Sequence, residues 1–371
     1  MKCLRVLAGV MTVLLLGGIQ VLGQASAPGS RVIDVINYEV KVEVQPDRSF
    51  LEGEAKVEFL VLEEALAVPF SFNKQLTLLE VYDEEDVSYS LRTDDFATSR
   101  IRVQSPDPLR EGARKTLTFR FEGLLEEDEY AFLDVASSLK AVIDRDGALL
   151  LTEGYWFPSH RLALDSATVT MRVTVPLGFS VVAPGTLDPI ETVGLSEVFT
   201  WRTGDPITQV PVIVARYYRV EYERDAVPLT FYMPEDSDRS MGDFADLVND
   251  VVHFYSDWLG PAPFPGLTLT QVRNSQLGMP TSKALILLEP KLVNAHTLPV
   301  LEIAKRVALQ WWGHSVHIQR SMDAWLADGF AQFSALKYIE SKDPKQFEAE
   351  LAKHAIDALK YQDTAPVSYT H

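Results

Sequence analysis

The sequence predicts a multidomain chain: a large antiparallel β-rich N-terminal domain followed by a smaller α+β domain. Three observations lead there. Apolar and polar residues alternate with a period of two in runs up to about residue 222, the mark of half-buried strands. From Phe244 onward apolar residues recur at three- and four-residue spacing, the mark of amphipathic helices. The length of 371 residues suits two or three domains. With 47% hydrophobic and 23% charged residues the chain has the apolar content of a folded core, which excludes disorder as its dominant state.

The first element is a targeting segment. Lys2 and Arg5 precede an apolar stretch over residues 6–22, interrupted by Gly9, Gly17, Gly18 and Gln20. Val21, Leu22 and Gly23 offer a cleavage point before Gln24, so residues 1–23 read as a Sec-type signal peptide. The expected localisation is secreted or periplasmic. The alternative is an uncleaved N-terminal helix that anchors the chain. Cys3, the single cysteine, precedes the apolar stretch, so cleavage leaves a chain without disulfides or thiolate metal sites. Losing Lys2 and Arg5 takes the net charge from -18 to -20. Such an acidic balance argues against nucleic acid as a partner and, after cleavage, against an anionic membrane surface.

The β-rich domain is expected over residues 24–222. Tyr38, Val40, Val42 and Val44 alternate with Glu39, Lys41 and Glu43. Past the turn at Gln45, Pro46 and Asp47, Ala55, Val57, Phe59 and Val61 alternate with Lys56 and Glu58. Val169, Met171, Val173 and Val175 alternate with Thr170, Arg172 and Thr174. The α+β domain is expected over residues 223–371. Residues 227–232 form a strand, and Phe244, Leu247, Val248, Val251, Val252 and Tyr255 lie on one helix face, stopped by Gly260 and Pro261. The apolar runs 267–272 and 284–288 are short enough for buried strands. Val300, Ile303, Val307 and Trp311 define one further helix, and Leu326, Phe330, Phe333 and Leu336 another.

Two windows carry the chemistry. Gln310, Trp311, Trp312 and Gly313 are followed by Trp325, Leu326, Gly329, Phe330 and Ala331 in the order W-L-x-x-G-F-A. These resemble the gluzincin family of membrane alanyl aminopeptidases, in which H-E-x-x-H precedes Q-W-[WF]-G on one helix and W-L-x-E-G-F-A on the next supplies the third zinc ligand. Trp156, Phe157 and Pro158, the turn Ala183, Pro184 and Gly185, and Trp201 with Pro206 are similar to that family's saddle-like β domain. Residues 259–265 resemble its G-x-Y-P-[YF] segment. The resemblance implies a saddle-like N-terminal domain followed by a thermolysin-like peptidase domain, here C-terminally truncated, since the family's transition-state tyrosine and further helical domain would lie beyond residue 371. Tyr338, Tyr361 and Tyr369 do not stand in that tyrosine's motif.

The resemblance also implies a lost zinc site. Two His four apart clamp zinc, with the intervening Glu as general base. Here the first His position is Lys305, the Glu position Arg306, the second His position Leu309, and the third-ligand position Asp328. A lysine ammonium has no lone pair, arginine accepts no proton and leucine has no donor atom. A cation beside Lys305 and Arg306 would also meet two positive charges. The family's amino-terminus-binding G-x-M-E-N segment reads Gly278, Met279, Pro280, so the carboxylate is gone. Hence no cofactor is expected, the family's zinc included. Lys305 and Asp328 either pair in place of the ion or both reach to solvent, and Leu309 and Trp312 make the groove more apolar.

The expected function is a non-catalytic pseudopeptidase that binds a peptide or protein segment in the former active-site groove, with a partner covering the missing C-terminal helices. The alternative is a metallo-aminopeptidase with displaced ligands, His314, His317 and Asp328. Against it, the two histidines read more simply as polar residues of a surface loop. A decayed fragment without a selected role is a third reading.

Overall fold

The computed structural model describes residues 32–95, 99–126, 140–160, 165–235, 241–273, 281–295, 297–316, 318 and 323–364. The leader 1–23, Gly278, Met279, Pro280 and His317 lie outside them. Among the described residues no helix is long and apolar enough to cross a membrane.

The first domain is built on β1 (Ile33–Gln45), β2 (Phe50–Val61), β3 (Leu76–Asp83), β4 (Arg114–Leu124), β5 (Thr168–Pro176) and β6 (Ser196–Arg202). They lie in the order β6-β5-β1-β2-β4-β3, with the short strands Thr186–Leu187 and Glu191–Val193 both paired to β6. The period-two reading holds: Tyr38, Val40, Val42 and Val44 are buried while Glu39, Lys41 and Glu43 face out. Gly53 sits where β1 and β2 approach closely, and a Cβ there would meet Lys41 O at 2.5 Å and Val42 Cγ1 at 2.6 Å. Smaller three- and four-stranded sheets complete the domain. One neighbour pair departs from the antiparallel expectation: β1 and β5 run parallel. The chain reaches β5 only after a long excursion that includes, past β4, the strands Ala141–Asp144 and Gly147–Leu150 of the four-stranded sheet, and such a crossover is what a parallel pair requires.

The second domain carries β7 (Tyr217–Tyr222), β8 (Leu229–Pro234), α1 (Gly242–Leu259), β9 (Leu267–Gln271), β10 (Thr281–Ser282) and β11 (Leu285–Leu288). After these come α2 (Pro290–Val293), α3 (Val300–Trp312), α4 (Ala324–Lys342) and α5 (Pro344–Thr364). Strands β8, β9 and β11 are parallel, and α1 is the crossover between the first two. Strand β7, placed by the sequence reading in the first domain, forms a hairpin with β8. The join between the sheets therefore lies at Arg216, ahead of the expected 222/223.

Helix α1 buries all six residues of its predicted stripe. Helix α4 does not follow its prediction. Of Leu326, Phe330, Phe333 and Leu336 only Leu336 is buried, while Ala331, Ser334, Ala335, Tyr338 and Ile339 form the inward face. Small residues let α4 approach α3 closely, and that contact outranks the larger side chains.

A separate apolar cluster joins the domains, with Val182, Ile213 and Ala215 from the first against Tyr217, Tyr232, Leu285 and Leu287 of the second sheet's outer face. Polar ties reinforce it: Ser282 Oγ donates to Gln209 O at 2.6 Å, and Arg273 lies 2.6 Å from Asp146. In the two-residue turn between β10 and β11, Ala284 has φ +60°, a left-handed conformation that favours glycine. Ala284→Gly is expected to raise stability by about 1 kcal/mol by removing that strain. A urea unfolding midpoint that stays put or falls would show the turn to be unstrained.

Candidate functional site

The site is built on the half-exposed stripe of α3. Ile303, Ala304, Val307, Ala308 and Trp311 face the core, which turns Lys305, Leu309 and Trp312, at i, i+4 and i+7, to the opposite side. Gly313 ends the helix, its N–H donating to Leu309 O at 2.8 Å. Helix α4 lies alongside and brings Asp328 over the stripe. Lys305 Nζ stands 2.8 Å from Asp328 Oδ1, with the ammonium largely enclosed (11% exposed) and the carboxylate more open (38%). Of the two arrangements open in the sequence, the structure adopts the ion pair.

Arg306 behaves differently from its neighbour. Adjacent residues on a helix point about 100° apart, so Arg306 turns inward and is 1% exposed. Its Nη1 bonds Glu302 Oε2 at 2.9 Å and its Nη2 lies 3.8 Å from Glu289 Oε2, itself 2.8 Å from Lys291. The expectation of two cations side by side at the ligand positions is thus corrected: only Lys305 lies on the outer stripe of α3.

The Q-W-W-G residues each tie α3 to something else. Gln310 Oε1 accepts the Ala284 N–H at 2.8 Å and its Nε2 donates to Ser282 O at 3.1 Å, gripping the hairpin that follows residues 278–280. Trp311 Nε1 donates to Gly260 O. Trp312 stacks on Phe330 with centroids 4.9 Å apart, and its Nε1 donates to Ser334 Oγ on α4. Beside Lys305 the stripe therefore presents Leu309, Trp312 and Phe330, all half-buried.

His314 corrects another expectation. It is no surface-loop residue: it is 9% exposed, and its Nε2 lies 2.8 Å from Thr281 Oγ1. The turn after α3 folds it back under β10, which its distance from any helical stripe hid in the sequence. Among the described residues no three His, Cys, Asp or Glu side chains converge as a metal would need. The donor set at the four family positions does not fit zinc: ammonium, guanidinium and isobutyl groups offer no lone pair to it, and the one carboxylate is taken by Lys305.

Tyr338 is also structural here. Its hydroxyl donates to Asp250 Oδ2 at 2.6 Å, and Lys342 Nζ lies 2.7 Å from the same carboxylate. Burial and the bond to Asp250 push the phenol well up. Asp250 is held below the usual carboxylate range: burial opposes ionisation, but the bonds from Lys342 and Tyr338 outweigh it. The sequence held no sign of this cluster, because its members lie on α1 and α4, far apart in the chain.

The fold is that of the M1 zinc metallopeptidases. A mutant M1 zinc metallopeptidase from Deinococcus radiodurans is similar with a TM-score of 0.70 and 21% identity, over 87% of this chain and 75% of that one. The same figures hold for that mutant bound to a Tyr-Ser-Ala substrate. A mutant two-domain M1 zinc metallopeptidase bound to L-arginine has a TM-score of 0.71 at 20% identity, again over 87% and 75%. No family model matches the sequence, and no curated protein does. At such identities the likeness is one of fold.

Two measurements test the site. Lys305→Ala and Asp328→Asn are each expected to cost about 1 kcal/mol, between an exposed pair and a buried one, and the double variant no more than either alone. Additive losses in a double-mutant cycle would show that the pair does not couple α3 to α4. Asp250, with its lowered pKa, contributes stability above the unfolded carboxylate value of about 4 and loses it as pH falls through the folded value. Asp250→Asn should therefore lose less Tm than the parent across that acid window, with the difference vanishing once Asp250 is protonated. Parallel Tm profiles would refute it.

Proposed function

We propose that this chain is a non-catalytic relative of the zinc aminopeptidases, exported by its N-terminal segment, and that the groove along α3 binds a peptide or a segment of another protein. The observation that carries the reading is the 2.8 Å contact between Lys305 and Asp328. In the family that the motifs resemble, these two positions converge on a zinc ion, and here an ammonium supplies the positive charge instead. An ammonium keeps the helices together but cannot activate water or polarise a carbonyl as a bound metal does. Arg306, at the general-base position, is buried against Glu302 and Glu289 and accepts no proton.

The remaining wall supports binding. Leu309, Trp312 and Phe330 form an apolar strip next to the ion pair, the mix of rings and few charges found in ligand grooves. The fold neighbour bound to a Tyr-Ser-Ala substrate supports a peptide as the class of ligand. The reading with displaced ligands gains nothing from His314, which is bonded to Thr281.

The test is metal content by mass spectrometry together with hydrolysis of alanyl and leucyl fluorogenic amides. Zinc well below one ion per chain and no chelator-sensitive turnover are expected. Stoichiometric zinc with turnover abolished by a chelator would return the protein to the working peptidases.

A further inference from the structure

The open edge of the large sheet in the first domain carries an apolar tip. Strand β6 pairs with β5 on one side and, on the other, only with the short strands Thr186–Leu187 and Glu191–Val193, neither of which has a further strand neighbour among the described residues. All three residues of Glu191–Val193 are exposed. Val193 and Leu195 flank Gly194 at the turn into β6 and are 59% and 83% exposed, and no large apolar side chain among the described residues is more open than Leu195. Leu177 reaches the same tip, its N–H donating to Leu195 O at 3.0 Å, and Ile190 stands at the other end of the short strand; both are nearly half exposed.

An unpaired sheet edge is a template for another strand, and folded proteins blunt it with lysine, proline or a bulge. Asp188, Pro189 and Ile190 interrupt the edge between the two short strands. Residues 191–195 hold neither lysine nor proline, and Thr192 and Val193 are β-branched residues that favour an extended backbone. Both carboxylates of residues 186–193 are matched by guanidinium groups: Glu191 takes two bonds from Arg172, at 2.8 and 2.9 Å, and Asp188 takes one from Arg202 at 2.8 Å. A net charge of -18 sets two copies of the chain against each other, so they meet most readily where charge is cancelled locally. A lipid surface would accept the apolar side chains but would leave the N–H and C=O groups of the edge without hydrogen bonds. A second strand of the same kind satisfies both.

We propose that two copies of this chain associate through this edge, independently of the site on α3. Glu191–Val193 of each lies antiparallel to the same strand of the other, and Leu177, Ile190, Val193 and Leu195 of each pack on their counterparts. Antiparallel pairing of an edge with itself is two-fold symmetric, so one surface supplies both halves of a closed dimer. The patch is small beside the roughly 800 Å² per partner of a standard interface, which sets the dissociation constant on the order of 10 μM.

The test is sedimentation equilibrium of the full chain from about 1 to about 100 μM. A monomer–dimer equilibrium is expected, tightening as salt rises from about 0.05 to about 0.5 M because screening removes the repulsion between two acidic chains. Leu195→Asp and Val193→Asp should each weaken it about tenfold or more, since each buries a carboxylate without a partner. Both positions are exposed in the monomer, so Tm at the dilute end should not change. Leu66→Asp, at an apolar position 53% exposed on the strand Ala65–Ser71 of another sheet, should leave the association unchanged. A monomer at every concentration and salt, association that survives Leu195→Asp or weakens as much in Leu66→Asp, or binding of the monomer to phosphatidylcholine vesicles that is lost in Leu195→Asp would overturn the proposal.

Discussion

An ammonium held 2.8 Å from a carboxylate sets the relation between the two helices on which every reading of this protein turns. Lys305 is largely enclosed and Asp328 is not, so the pair lies where desolvation of the cation must be offset by a close partner. A like-charged or neutral residue at either position would leave the other charge without compensation between α3 and α4. The contact does not act alone: Trp312, stacked on Phe330 and donating to Ser334, ties the same helices two turns further along α3. Charge at one end and ring packing at the other fix both distance and register.

Behind that stripe the helix is anchored by groups on its inward side. Arg306 is enclosed beside buried Glu289 and reaches out to the more exposed Glu302, and Gln310 satisfies both a donor and an acceptor of the hairpin at 282–284. Buried polar groups of this kind are costly unless partnered, so they restrict the arrangement of α3 against the sheet to one solution. The same hairpin contributes Lys283 to the domain boundary and Leu285 to the apolar cluster there. Helix α3, the hairpin and the contacts between the domains are consecutive layers of one packed unit.

The β half was largely legible from residue order because a half-buried strand writes its own pattern: Val40, Val42 and Val44 inward, Lys41 and Glu43 outward. Helix α1 was equally plain. Helix α4 was misread, because its large residues suggested one inward face while the close approach to α3 selected Ala331, Ser334 and Ala335. His314 was missed for a related reason. Its burial comes from a turn that folds under β10, and no local periodicity reports such a fold-back.

Residue order alone determined which atoms stand at each position: no lone pair for a metal at Lys305, Arg306 or Leu309, and a carboxylate at Asp328. It also determined that a helix would carry the first three, since their spacing and the apolar stripe beside them are local properties of the chain. Side-chain pairing was settled elsewhere. Whether Lys305 met Asp328 or water, and whether Arg306 faced outward or the core, depended on how closely α4 could lie on α3 and on where Glu289 came to rest at the end of β11. Those are distances between segments remote in the chain, and packing three elements together is what sets them.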